Sequence, residues 1–423
     1  MNAGCAVDAR LLGLLAVLYF AQGLPAGLLG KALPALLRDS GVSLAAIGFT
    51  SLLALPWALK FLWAPFVDRF ATRKRWLLAL NAATLVLMLL IAAQDFSVWV
   101  AQAFVPLLVV LFLLNLVAAT QDIATDGLAV SRLSLRMRGL GNSVQVIGYK
   151  VGMMVGGGLL LWLVARFGWQ SSYAGIASLL LLALLPVLLM RDERTMAERA
   201  ATHTPWHGVR GYWRVFRDFL ARPGLHWWLL AVMTFKVGDA LASRMIGPLL
   251  LDAGLPLADI GMLVGVIGAS AGIAGAFLGG ALLLRLGHRH ALLLFGGMQA
   301  AGLLGYLLIV AGRPDDHVLY VVVCFEQFAD GLSTVALFTV MMDVCRAHSP
   351  GTDYTLQASA QVIVVGIAAL LSGVVAEQAG YAEVFIAGAL LTVLALLPVL
   401  VYFKVAASAA SARAVSPSVE RVP

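Results

Sequence analysis

Asn115-Leu-Val-Ala-Ala-Thr-Gln121-Asp122-Ile-Ala-Thr-Asp126-Gly127 sets two carboxylates among apolar neighbours. It lies inside an apolar run, residues 99–130, that is long enough to cross a bilayer. A carboxylate at the centre of such a span costs about 3 kcal/mol on insertion scales, so intramembrane acids mark functional sites by default. Asp122 and Asp126 are four residues apart and share one helix face. A second apolar run, residues 319–344, repeats the arrangement with Glu326, Gln327 and Asp330.

Composition supports the same reading. The 423 residues are 61% hydrophobic and 12% charged, with mean hydropathy +0.93. Soluble domains are about half apolar and a quarter charged, so a polytopic membrane protein is implied. The net charge of +7 is assigned to loops that set topology, not to a nucleic-acid surface. Cys5, Cys324 and Cys345 are far apart and offer neither a disulfide framework nor a zinc spacing. Residues 11–37 are too long for a signal-peptide core and read as the first span.

Apolar runs bounded by charged or turn residues give twelve spans, near 11–37, 44–67, 76–94, 98–131, 139–165, 170–190, 225–251, 257–285, 290–311, 318–345, 354–378 and 381–404. The expected organisation is an N-terminal six-helix bundle (1–190), a linker (191–223), a C-terminal six-helix bundle (224–405) and a disordered tail (406–423). In the linker Arg191, Arg194, Arg199, Arg210, Arg214, Arg217 and Arg222 alternate with Trp206, Tyr212, Trp213 and Phe216, which points to a surface-lying amphipathic helix. With both termini cytoplasmic, 21 Lys/Arg fall in cytoplasmic segments against three (Arg38, Arg166 and Arg313) on the other side.

The halves repeat. Leu37-Arg-Asp39-Ser-Gly41-Val-Ser-Leu44-Ala-Ala-Ile47-Gly48 matches Leu251-Asp252-Ala-Gly254-Leu-Pro-Leu257-Ala-Asp-Ile260-Gly261 with one gap, a period near 210 residues covering six spans. Asp68-Arg69 followed by Arg73-Lys74-Arg75 resembles the basic loop motif of the major facilitator superfamily. Phe20-Ala-Gln-Gly23-Leu-Pro25, Lys60-Phe-Leu-Trp63-Ala-Pro65-Phe-Val-Asp68-Arg69, Gln121-Asp122-Ile-Ala-Thr-Asp126-Gly127 and Gly148-Tyr-Lys150-Val-Gly152 resemble the branch holding AmpG muropeptide permeases and acetyl-CoA transporters. Ala32-Leu-Pro34-Ala-Leu-Leu-Arg38 is closer to siderophore-uptake members of the RhtX/FptX type. The resemblance implies an all-α membrane protein of the major facilitator fold, with twelve transmembrane helices in two six-helix pseudo-repeats.

Eleven ionisable residues are singled out inside spans: Lys31, Lys60, Asp122, Asp126, Lys150, Lys236, Asp239, Arg244, Glu326, Asp330 and Asp343. All of these but Lys60 and Lys150 lie on helices 1, 4, 7 and 10, which line the central cavity in that fold by resemblance. Glu326, Asp330, Asp122 and Asp126 are the proton-coupling candidates. Burial disfavours an ionised carboxyl, and a group poised to gain and lose a proton is what coupling requires. Gln22, Lys31, Asn115, Gln121, Gln145, Lys150, Lys236, Asp239, Arg244, Gln327 and Gln361 are substrate-cavity candidates. Asp68, Arg69, Arg73, Lys74, Arg75, Arg132, Asp343 and Arg346 form a candidate cytoplasmic gate. With the fourth span at 98–131, Asp122 and Asp126 lie about 10 and 16 Å past its midpoint. That depth leaves a second reading open, in which they pair with Arg69 or Arg132 as part of the gate. Glu326 and Asp330 have the alternative of pairing with Lys236 or Arg244, and Lys236 with Asp239.

No nucleotide-binding loop, metal-ligand set or nucleophile–base arrangement is visible, so neither a cofactor nor an enzymatic activity is expected. The expected function is alternating-access, proton-coupled import of a bulky polar solute across the bacterial inner membrane. A siderophore or its ferric complex is favoured, a muropeptide comes second and an acetyl-CoA-type cargo third. A non-transporting membrane sensor or a membrane enzyme is the reading from a different class. The expected partners are the solute, protons and the bilayer, without nucleic acid, for a chain that works as a monomer.

Overall fold

The computed structural model describes residues 3–42, 50–190, 208–312 and 314–415. The second half of the Leu37–Gly48 repeat, most of the linker's first part, Arg313 and the end of the tail lie outside the described residues. Among the described residues every element is a helix.

Among the described residues, nine helices are long and apolar enough to cross a membrane. α1 runs Ala3–Gly27, widens to a π-turn at Leu28–Ala32 and ends as Leu33–Asp39. α3 is Arg73–Ala92, α4 Phe104–Arg132 and α6 Trp169–Leu189. α5 joins Arg138–Met154 to Leu160–Phe167 through a π-turn at Val155–Leu159. α10 is Asp316–Val344, α11 Pro350–Ala379, and α12 runs from Tyr381–Leu394 into Leu396–Val415. The 50-residue stretch Gly261–Val310 holds two spans, α8 and α9, because Gly287 breaks it with φ 70°. That left-handed geometry is costly for any residue with a Cβ.

Two further spans escape a length criterion because they are interrupted. α2 is a chain of short pieces, Thr50–Ala54, Leu55–Leu59, Lys60–Leu62 and Ala64–Arg69. α7 is split into Leu225–Thr234 and Val237–Asp252, with Lys236 between them at φ −105°, ψ 5°. Counted with these, the expected twelve spans are present among the described residues.

The fourth span is shorter than its hydropathy. Ala103 adopts φ −141°, ψ 39° and separates Phe96–Gln102 from α4. The midpoint of α4 moves to residue 118, so Asp122 and Asp126 lie about 6 and 12 Å beyond it. Both acids are therefore deeper than the apolar run alone implied.

The chain divides into two units, Met1–Pro205 with Met342–Ser359, and Trp206–Met341 with Ala360–Pro423. In the first, the core runs through Leu24, Leu28, Met88, Leu107, Leu111, Trp169 and Tyr173. Close helix approach rests on glycine: a Cβ on Gly23 would lie 2.8 Å from Gly152 Cα, so α1 and α5 meet backbone to backbone. In the second unit the core gathers Leu249, Leu250, Leu303, Tyr306, Val323 and Phe385, with Tyr306 stacked on Phe385 at 4.9 Å. Large apolar side chains such as Val86, Leu182 and Leu370 point outward, as a lipid-facing surface requires. Before α7, Gly208–Leu220 forms the amphipathic helix expected of the linker, with Phe216 and Phe219 buried and Trp213 exposed.

Candidate functional site

The first unit buries a charged network between α1, α2, α4 and α5. Lys60 is 3% exposed and pairs with the Asp122 carboxylate. It sits where α2 tightens to a 3-10 turn, so its ammonium reaches α4 while also lying 5.2 Å from the Trp57 ring. One turn along α4, Asp126 accepts from the Tyr19 hydroxyl at 2.8 Å and from Gln145 Nε2 at 3.3 Å. Gln22 Nε2 donates to Thr125 Oγ1 at 2.8 Å, and the Thr125 hydroxyl donates to the Gln121 carbonyl. Gln121 donates to Asn81 on α3. Trp57 Nε1 donates to Asn115 at 3.1 Å and Trp63 Nε1 to Thr120 at 3.0 Å. Gln22 Oε1 is buried with no partner among the described residues, an acceptor left over inside the network.

The expected alternative for Asp122 and Asp126 was pairing with Arg69 or Arg132. Their partners are instead Lys60, Tyr19 and Gln145. The reason is helix geometry: Arg132, six residues past Asp126, turns to another face of α4, while Lys60 of α2 and Tyr19 of α1 pack against the face that carries the acids.

The second unit holds a network of the same kind around the break in α7. Lys236 Nζ donates to Asp330 Oδ1 at 2.8 Å, to Gln299 Oε1 at 2.9 Å and to Ser333 Oγ at 2.7 Å. Gln299 in turn donates to Asp239 at 2.7 Å. Glu326, 1% exposed, takes its hydrogen bonds from Gln327 Nε2 at 3.0 Å and Tyr306 at 3.5 Å, not from Lys236 or Arg244. Its backbone packs closely on Gly302 of α9, where a Cβ would lie 2.9 Å from Glu326 Cα. Asp330 stands at the midpoint of α10.

A third cluster lies at the loop after α2. Asp68 pairs with Arg73 and accepts from the backbone N–H groups of Gly351 at 3.2 Å and Thr352 at 2.6 Å. The Thr352 hydroxyl donates to the same carboxylate at 2.6 Å. Asp68 thereby caps the start of α11, where the helix dipole favours negative charge. Arg73 lies over Gly127, whose missing side chain leaves it room: a Cβ there would be 2.7 Å from Arg73 Cζ. Arg138 bonds Asp343 at 2.7 Å and the Met342 carbonyl at 3.0 Å. Arg346 grips Asp353 with a bidentate fork at 2.7 and 2.8 Å. Lys74 donates to the Leu188 carbonyl, while Arg75 and Arg132 are exposed.

Of the remaining cavity candidates, Lys150 and Gln361 are half-buried, Arg244 is exposed, and the side chain of Lys31 lies outside the described residues. Lys60, Tyr19, Thr125, Asn81, Gln299, Ser333, Tyr306, Arg138 and Asp353 were not among the candidates. Lys60 carried a signal, a lysine in an apolar span, but it lay off the helices expected to line the cavity. The neutral residues carried none, because serine, tyrosine and glutamine in a span are not costly enough to stand out.

The family model of the Major Facilitator Superfamily matches residues 15–369. The anhydromuropeptide permease of Escherichia coli K12 is 30% identical over 356 residues, covering 81% of this chain and 70% of the permease. The putative transporter AmpG 4 of Rickettsia conorii is 25% identical and covers 91% of this chain and 93% of its own. Among solved structures, the E. coli fucose:proton symporter FucP superposes with a TM-score of 0.74 at 14% identity, covering 92% of this chain and 98% of that one. The names these relatives carry favour the muropeptide alternative, and the siderophore reading drawn from residues 32–38 has no support among them. With that family model matched along most of its length and the expected helices in place, this multi-pass membrane protein belongs to the Major Facilitator Superfamily.

Proposed function

We propose that this chain imports an anhydromuropeptide-class solute, an amino sugar bearing a short peptide, across the bacterial inner membrane with protons. The observation that supports the substrate class is its likeness to the anhydromuropeptide permease over most of the chain. The geometry adds that each unit buries a lysine–aspartate pair within a shell of amide and hydroxyl groups. Such groups suit a ligand rich in amides, hydroxyls and carboxylates, because each ligand group finds a complementary partner when a protein–protein bond is exchanged. Proton coupling is assigned to the second network, where Lys236 pairs with Asp330, Gln299 links the lysine to Asp239, and Glu326 stands one turn before Asp330 on α10. A proton gained by one of these acids frees the lysine's share of the charge, and its loss restores the pair. The excess of basic residues in alternate loops supports a cytoplasmic location for both termini. The ion pairs of Asp68 with Arg73, Arg138 with Asp343 and Arg346 with Asp353 are assigned to the cytoplasmic gate.

The test is counterflow in proteoliposomes preloaded with unlabelled solute. Labelled anhydromuropeptide should enter preloaded vesicles and be competed by its unlabelled form. Exchange of a labelled ferric siderophore, with none of the anhydromuropeptide, would overturn the substrate assignment.

A further inference from the structure

Two basic pockets sit at one end of the second unit, apart from the buried networks. The larger, about 820 Å³, is lined by Arg289 at the start of α9 and by Leu400, Val401, Phe403, Lys404, Ala407 and Ser408 of α12. Arg289 and Lys404 are exposed, and neither side chain has an ion-pair partner among the described residues. No carboxylate lines the pocket. The wall below the two cations is apolar and aromatic.

The same end carries the interfacial helix. Gly224, at the start of α7, abuts Val405 of α12, and the Trp228 ring lies 5.2 Å from Tyr402. The interfacial helix leads into that junction, with Arg222 lying 5.8 Å from the Phe219 ring. Around its axis, at about 100° per residue, side chains grade in one direction. Phe219 and Phe216 face the unit and are buried, Leu220 and Trp213 come next and are exposed, and Arg217, Arg210 and Arg214 follow. Those three arginines and Trp213 line the second pocket, about 330 Å³. Exposed apolar side chains between a protein contact and a row of cations suit the plane where acyl chains give way to headgroups.

We propose that this rim binds an anionic phospholipid, its phosphate held by Arg289 and Lys404 and an acyl chain laid along Leu400, Val401 and Phe403. Charge and shape select this occupant. A soluble anion leaves the Leu–Val–Phe wall in water, and a zwitterionic lipid offsets the two cations with its own positive group. Basic pockets between membrane helices hold anionic headgroups on the same principle. The interfacial helix extends the site, since Arg210, Arg214 and Arg217 meet neighbouring headgroups while Trp213 seats at the interface.

The experiment uses the purified full chain in nanodiscs and in detergent with native mass spectrometry. The probes are phosphatidylglycerol, phosphatidylcholine of the same chain length, and inorganic phosphate. Wild type should retain phosphatidylglycerol in preference to phosphatidylcholine, and inorganic phosphate should not displace it. Each cation removed should weaken that preference about fivefold, so Arg289→Gln with Lys404→Gln loses it on the order of 25-fold with phosphatidylcholine unchanged. Arg289→Lys with Lys404→Arg should restore it, and Arg166→Gln, an exposed arginine of the first unit, should leave it intact. Equal retention of both lipids by wild type, an undiminished preference in the double variant, or displacement by inorganic phosphate overturns the proposal.

Discussion

Lys60 and Asp122 show how much a single buried pair constrains. Removing one partner of such a pair leaves a charge in low dielectric and costs about 3–5 kcal/mol, whereas replacing both with apolar groups is nearly neutral. Lys60→Met or Asp122→Asn should therefore lower the thermal unfolding temperature of the detergent-solubilised protein sharply. Lys60→Met combined with Asp122→Leu should recover most of that loss and still fail to transport. Recovery of both would mean that the pair serves folding alone. In the second network, Asp330→Asn or Glu326→Gln should abolish gradient-driven accumulation while sparing counterflow, because exchange needs the binding groups but no net proton movement. Unchanged accumulation in both variants removes α10 from the coupling step. The four coupling candidates were legible as residue types, since acids in spans are conspicuous. Their partners were not: Lys60 stands 62 residues from Asp122 and Lys236 stands 94 from Asp330, separations that no local pattern encodes.

At the scale of elements, both lysines occupy irregular points of their helices. Lys60 lies in the 3-10 turn of α2, and Lys236 lies between the two pieces of α7. Broken helices inside a membrane persist where freed backbone groups face protein or water, and they mark binding sites in transporters. Pro56 and Pro65 announce the interruption of α2 in the sequence. Nothing comparable flanks Lys236, whose surroundings read as continuous apolar helix. The break at Ala103 did carry a signal, Pro106 in the first turn of α4, but the apolar run continues across it, and it misplaced the depth of Asp122 and Asp126. Glycine stripes were legible and have a plain consequence. Gly152→Val forces a side chain into the α1 backbone and should destabilise by about 1–3 kcal/mol, as overpacked sites do. Gly158→Ala, which meets open space, should be neutral in the same melt. Gly127→Ala should displace Arg73 from its seat on α4 and weaken its pair with Asp68.

For the whole molecule, the six-plus-six plan was readable from span count, loop charge and the repeat, because bilayer thickness and hydrophobicity impose them on any sequence. The allocation of Met342–Ser359 to the first unit was not readable, since it depends on Asp68, Arg138 and the first turn of α11 meeting in space. Under the proposed function, Asp68, bonded to the first turn of α11, is the latch of the cytoplasmic gate. Charge-assisted hydrogen bonds contribute about 1.5–3 kcal/mol each, so Asp68→Asn should shift the gate's equilibrium by roughly tenfold or more. Turnover should fall accordingly, with affinity for anhydromuropeptide little changed when measured by equilibrium binding.

In the proposed function the two buried charge networks serve a proton-driven passage of an anhydromuropeptide. Accumulation of labelled anhydromuropeptide in proteoliposomes under an imposed inward proton gradient tests it most directly. Wild type should concentrate the solute above the external level and fall to that level when a protonophore collapses the gradient. Uptake that never exceeds the external concentration, or that ignores the protonophore, contradicts it.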